Sequence, residues 1–279
     1  MDRPKLATVL YTARVIRVIG FGTSLDRVRL PDGRRHTEAI GELIGERYGE
    51  PCEVLLKSGW PNAELPARAE ELIEEFQPDL VLLAVNPFPY LYESVPRRLQ
   101  RKFGRAGKPL AKAGLKAADT PKLSHNRVFH IGRKLAHLII GGDPPCTPEQ
   151  VVERLSGVFR SVARREGTGM FVYISDGSAL AEHSGAPKRR TRARQEAVHG
   201  PLMALLDQLH FPYFAIPPDP AEYAHLKAEA GNQSGDGVHL TPQGMSRLVE
   251  QEAARIGKIL DDMGRVQPLE TQASASPAG

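Results

Sequence analysis

Cysteine is scarce in this chain, with two in 279 residues, and tryptophan occurs once. Cys52 and Cys146 can close at most one bridge and show no metal-ligand spacing, so a disulfide scaffold and a cysteine-built zinc site are excluded. A reduced, cytoplasmic compartment is the expectation. Apolar runs are short, and none approaches the ~18 residues that a membrane-spanning helix needs. The opening Met1-Asp2-Arg3-Pro4-Lys5-Leu6 lacks the basic stretch, apolar core and small-residue cleavage site of a secretory signal. Internal repeats are also missing. What is present is ordinary for a folded globular chain: 41% hydrophobic residues, 25% charged, and 37 Lys+Arg against 33 Asp+Glu. That length holds one large domain or two small ones, with ample material for a core.

Apolar runs alternate with helical periodicity along the chain. Val15, Ile16, Val18 and Ile19 read as a strand ended by Gly20-Phe21-Gly22, and Ala39, Ile40, Leu43, Ile44 and Tyr48 then recur at helical spacing. Cys52 to Leu56 reads as a second strand, and Leu65, Ala69, Leu72, Ile73 and Phe76 mark one face of a second helix. The continuous run Leu80-Val81-Leu82-Leu83-Ala84-Val85 fits a parallel strand covered on both faces. After an interruption the pattern resumes at Thr147-Pro148-Glu149-Gln150, a helix start with cap, proline and capping-box Gln. Met170 to Ile174 reads as a strand, roughly 190–209 as a helix and Tyr213 to Ile216 as a short strand. Thr241-Pro242 opens a last helix. Such alternation predicts a three-layer α/β/α sandwich with a parallel sheet of about five strands. A single domain is expected over 1–263. Within it, 88–146 is an insertion or cap, because excursions of that length tend to be lids or binding loops. The small, polar 264–279 is expected to be a disordered tail.

The first chemistry-bearing stretch is Gly20-Phe21-Gly22-Thr23-Ser24-Leu25, directly after the first strand. Two glycines match a dinucleotide fingerprint, but Leu25 stands where the third glycine permits close helix–strand packing. Lys57 and Ser58 also stand where an acidic residue should end the second strand. A second reading makes Ser24 a nucleophile at the carboxyl end of the first strand, where open α/β sheets place their ligands. A serine in that place otherwise caps a helix. As a nucleophile it needs a base, an orienting acid and oxyanion donors. Asp236-Gly237-Val238-His239 supplies a carboxylate three residues before an imidazole, a spacing at which a turn lets the acid hold one ring nitrogen while the other faces outward. Alone, the same four residues also make an ordinary surface loop. Gly59 after the second strand can offer a backbone N–H, and Asn86 after the third can offer a side-chain amide. Separately they are a turn glycine and a strand terminator.

Together these residues resemble the blocks of the SGNH/GDSL hydrolase superfamily. Gly22-Thr23-Ser24-Leu25 resembles its Gly-Asp-Ser-Leu block, Ser58-Gly59 its glycine block, Ala84-Val85-Asn86 its Gly-x-Asn block, and Asp236-Gly237-Val238-His239 its Asp-x-x-His block. The likeness spans roughly 14–87 and 169–260. It implies a flavodoxin-like fold, Ser24 as nucleophile, His239 as base and Asp236 as its partner. The implied oxyanion donors are the N–H groups of Ser24 and Gly59 and the amide of Asn86. No metal or organic cofactor is implied. Thr23, Ala84 and Pro87 depart from the family pattern without removing a catalytic atom, which marks a divergent branch. The expected function is a serine-dependent ester hydrolase. The alternatives are an acyltransferase with the same triad and a non-catalytic binding module for an anionic partner.

Charge is unevenly distributed. Residues 97–137 carry twelve Lys+Arg and one acid, Asp119, and 187–194 carries five Lys+Arg and none. Clustered positive charge attracts anions, so these segments are expected to meet an anionic substrate group or an acidic partner. Few aromatic residues interleave with them, which argues against single-stranded nucleic acid. Leu110, Leu115, Leu123, Val128, Phe129 and Ile131 suggest that the insertion packs on the body as a cap over Ser24. His125, His130, His137 and His183 lack metal spacing.

Overall fold

The apolar run Leu80–Val85 is the middle strand of a five-stranded parallel sheet in the computed structural model of the chain. The structure describes residues 14–22, 29–104, 109, 131, 135, 139–174, 188–215 and 241–264. In chain order the elements are β1 (Ile16–Gly22), α1 (His36–Tyr48), β2 (Cys52–Ser58), α2 (Leu65–Phe76), β3 (Leu80–Val85), α3 (Phe88–Leu91) and α4 (Val95–Phe103). There follow α5 (Pro148–Ala163), β4 (Gly169–Ile174), α6 (Lys188–Gln208), β5 (Tyr213–Ala215) and α7 (Pro242–Asp262). Strand order is β2-β1-β3-β4-β5, the flavodoxin-like order.

Strand residues alternate between two cores, as a period of two requires. Ile19, Phe21, Val81, Leu83, Val85, Val172 and Ile174 point to the layer of α2, α5 and α6. Ile16, Val18, Leu80 and Leu82 point to the layer of α1 and α7. At roughly 1.5–3 kcal/mol for each large apolar side chain taken from water, the two layers are what hold the sheet. Cys52 belongs to one core and Cys146 to the other, and both thiols are free.

Helix ends follow local chemistry. The Thr147 hydroxyl accepts from the Gln150 N–H (3.3 Å), and the Gln150 side chain accepts from the Thr147 N–H (3.0 Å), so the predicted capping box opens α5. Thr241 caps α7 by accepting from the Gly244 N–H at 3.2 Å. One expectation is corrected: β1 does not stop at its glycines. It pairs through Gly22, opposite Ser58 of β2, and β2 likewise runs two residues past Leu56. The Leu56 side chain fills the space above Gly20 that a Cβ would need, so the glycine is a packing residue inside the strand.

The excursion after β3 begins inside the body. Tyr90 and Leu91 are fully buried in the core shared with α5 and α6. Ser94 and Asp143 then exchange backbone hydrogen bonds of 3.0 and 3.2 Å, and the Cys146 N–H donates to the Pro89 carbonyl at 2.8 Å. The chain therefore leaves and returns through one narrow neck. Most of 105–138 lies outside the described residues, as does the tail beyond 264. No helix among the described residues is long and apolar enough to cross a membrane.

Candidate active site

In a 2-1-3-4-5 sheet the chain leaves β1 toward one edge and later returns to the other side of it. A crevice opens between the carboxyl ends of β1 and β3, and such switch points are where these sheets bind ligands. The register aligns these ends. Gly22 pairs with Ser58, Phe21 with Leu83, Val85 with Ile174 and Ile174 with Ala215. Ser24 follows β1 by two residues, Gly59 follows β2 by one, and Asn86 follows β3 by one.

Of the five predicted site residues, Gly59 and Asn86 are described, whereas Ser24, Asp236 and His239 lie outside the described residues. Asn86 is half-buried, and its side-chain carbonyl accepts from the Phe88 N–H at 2.9 Å. That bond needs an acceptor, so it fixes which end of the amide is oxygen and leaves the NH2 group as the donor end. Pro87, which departs from the family pattern, opens the short α3 behind it.

Gly59 is more constrained than the sequence suggests. Its N–H donates to the Gly22 carbonyl at 2.9 Å, extending the β1–β2 ladder by one rung. A Cβ at Gly59 would stand 2.7 Å from the Phe21 carbonyl oxygen and 2.9 Å from its carbon, so the backbones approach too closely for any side chain. The glycine is required here for packing, and its amide hydrogen already has an acceptor.

The helix that follows the Asp-x-x-His stretch is located by its contacts with α1. The two run parallel: His36 Nε2 lies 2.8 Å from Glu252 Oε2, and the Tyr48 hydroxyl donates to the Gly257 carbonyl and contacts Asp261 Oδ1, each at 2.6 Å. His36 begins α1 at the carboxyl edge of the sheet, yet its partner Glu252 lies ten residues into α7. At 1.5 Å per residue, α7 therefore begins about 15 Å along its axis from that contact. His239 precedes the Thr241 cap by two residues.

Two features were not foreseen from the sequence. Trp60, Phe88 and Tyr92 form an aromatic series beside Gly59 and Asn86. Ring centroids are 5.9 Å apart for Trp60–Phe88, and 4.5 Å apart and stacked for Phe88–Tyr92. Next to Tyr92, Glu93 is 1% exposed and holds Arg190 (3.2 Å) and Arg194 (2.7 Å). Asp143, opposite Ser94, holds Arg98 (3.2 Å) and Arg101 (3.0 Å). Four cations of the two basic segments are thus tied to the protein's own carboxylates. Their signal in the sequence was faint: two isolated acids flanking strongly basic stretches. Among the described residues no three His, Cys, Asp or Glu side chains converge as metal ligands. A surface hollow lined by Gln77, Asp79, Arg165 and Thr168 lies at the opposite edge of the sheet, away from these groups.

No protein-family model and no curated protein sequence matches the chain. Among solved structures, the inhibitor-bound aryl esterase of M. smegmatis is 14% identical, with 86% of this chain and 98% of that one covered, at a TM-score of 0.41. A catalytic mutant of the acetylxylan esterase Axe2 from Geobacillus stearothermophilus is 13% identical over 87% and 93% of the two chains, at 0.47. A carbohydrate acetylesterase family member from Sinorhizobium meliloti is 13% identical over 90% and 97%, at 0.38. With scores below 0.5, the fold assignment rests on the strand order and register described above, which are those of a flavodoxin-like α/β/α sandwich.

Proposed function

We propose that the chain is a serine-dependent ester hydrolase of the SGNH/GDSL type. One observation carries the reading: the strand order sets the ends of β1 and β3 side by side at the switch point. Ser24 and Asn86 stand two and one residues beyond those ends in the sequence, which supports assigning both to one crevice. The place of the proposed base supports it further, because His239 precedes the Thr241 cap of α7 by two residues.

In the proposed reaction Ser24 Oγ attacks the ester carbonyl carbon while His239 takes the hydroxyl proton and Asp236 holds the imidazolium. The carbonyl oxygen becomes an oxyanion, stabilised by the Asn86 amide and the Ser24 N–H. The Gly59 N–H joins them only if the Gly22 carbonyl releases it. Collapse expels the alkoxide, which His239 protonates, leaving an acyl-serine. Water then attacks with His239 again as base, releasing the acid and restoring Ser24. A second alcohol or amine in place of that water would make the same triad a transferase.

The deciding experiment is labelling by a fluorophosphonate together with hydrolysis of 4-nitrophenyl acetate. Ser24→Ala is expected to abolish both with the fold retained by circular dichroism, and His239→Ala is expected to abolish labelling. Wild-type turnover in the Ser24 variant would overturn the assignment. A wild-type protein that neither labels nor turns over the ester would favour the binding module.

A further inference from the structure

The arginine cluster has more positive charge than its structural task requires. Glu93 and Asp143 are buried carboxylates at the neck of the excursion, and one guanidinium each would neutralise them. Each instead holds two, and the pairs come from different helices, α4 and α6. Neither helix has an acidic residue in its first turn, although helix amino termini favour negative charge. The two carboxylates fix the inner edges of the guanidiniums, while the outer N–H groups of Arg98, Arg101 and Arg190 remain at the surface. These side chains are 39%, 72% and 49% exposed. Five donors per guanidinium in a fixed plane suit an oxyanion such as a carboxylate or phosphate.

The cluster is also joined to the candidate site. From Gly59 and Asn86 the aromatic series runs Trp60, Phe88, Tyr92 in ring-to-ring steps of 5.9 and 4.5 Å, and the residue after Tyr92 is Glu93. Trp60 is 37% exposed, so part of this apolar surface faces solvent. Its two ends differ in chemistry: oxyanion donors for the reacting carbonyl at one, a surplus of guanidinium at the other.

Resting on the hydrolase reading above, we propose that this cluster binds the anionic end of the substrate. The substrate class is then an ester carrying a phosphate or carboxylate group across an apolar spacer, which lies along Trp60, Phe88 and Tyr92. Binding there sets which ester is held and leaves the triad chemistry unchanged.

The test compares n-octyl phosphate with n-octanol as inhibitors of 4-nitrophenyl acetate hydrolysis, with calorimetry to read binding without turnover. Octyl phosphate is expected to compete with the ester and to bind about tenfold more tightly than octanol, the scale of one charge-assisted contact. Arg101→Gln, which leaves Arg98 on Asp143, is expected to remove most of that preference. Its kcat and KM for the neutral ester should stay at wild-type values. In the wild-type protein itself, raising NaCl from 50 to 500 mM should weaken octyl phosphate and spare octanol. Equal affinity for the two ligands, non-competitive inhibition, or a preference untouched by Arg101→Gln and by salt would each overturn the proposal. Calorimetric binding of octyl phosphate with no ester turnover in the wild-type protein would sink the hydrolase reading alone.

Discussion

Asn86 and Gly59, both proposed for the same crevice, are held in place in different ways. Asn86 has its oxygen tied to the Phe88 N–H, so in the proposed reaction its NH2 is held by the turn and needs no reorganisation when charge develops. Asn86→Ala is expected to lower kcat for 4-nitrophenyl acetate by about 10²-fold or more, with little change in KM, the loss typical of one oxyanion donor. Steady-state kinetics check this, and an unchanged kcat would remove Asn86 from the oxyanion site. Gly59 acts first through space. A methyl group there would meet the Phe21 carbonyl at 2.7 Å and force β1 and β2 apart. Gly59→Ala is therefore expected to lower stability by about 1–3 kcal/mol, the range for overpacking, and activity with it. Urea unfolding read beside turnover separates this from a purely catalytic loss. Cys52 lies outside the chemistry: burial first, then the nearby charges of Asp79 and Glu53, push its thiol up to about 12.

At the scale of elements, α7 links the fold to the proposed base. Its first turn is held by the Thr241 hydroxyl accepting from the Gly244 N–H, and His239 stands just before that cap. Thr241→Ala is expected to cost about 1 kcal/mol of stability. Because the fraying falls beside His239, turnover should drop further than that loss explains; Thr241→Ser should restore both, as thermal melts and 4-nitrophenyl acetate assays can show. Elements like this one were legible in the sequence because their signals are local. The run Leu80–Val85, the helix face from Leu65 to Phe76 and the Thr147–Gln150 box each contain the reason for their structure within a few residues. The extension of β1 through Gly22 was not legible, since it depends on Leu56 and Ser58 in the next strand. The same holds for the site. Asn86 could be named from its place after an apolar strand. The commitment of the Gly59 N–H to Gly22, and the hold of Glu93 on Arg190 and Arg194 a hundred residues away, are long-range pairings that no spacing rule encodes.

Across the whole molecule, the net charge of +4 averages a body near −12 with two basic segments, and the structure ties part of that basic charge down on Glu93 and Asp143. A second long-range tie joins the earliest and latest helices. Tyr48 at the end of α1 is 1% exposed, and its hydroxyl reaches the Gly257 carbonyl and Asp261 of α7. Burial first, and then the hydrogen bond to Asp261, push its phenol from 10.0 up to about 12. The folded state thus favours the neutral phenol, whereas the unfolded chain ionises it near its ordinary value. By linkage, this contribution to stability is complete below pH 10, falls as pH rises from 10, and is gone once pH passes about 12. Wild-type stability in urea is therefore expected to decline across that window. Tyr48→Phe removes the hydroxyl hydrogen that the Gly257 carbonyl and Asp261 share, so at pH 7 it should be less stable by about 1–2 kcal/mol. With no phenol to ionise at that position, its alkaline decline should be shallower, and the two stability curves should converge as pH approaches 12. Parallel curves from pH 7 to 11.5 would mean that Tyr48 does not set the alkaline limit.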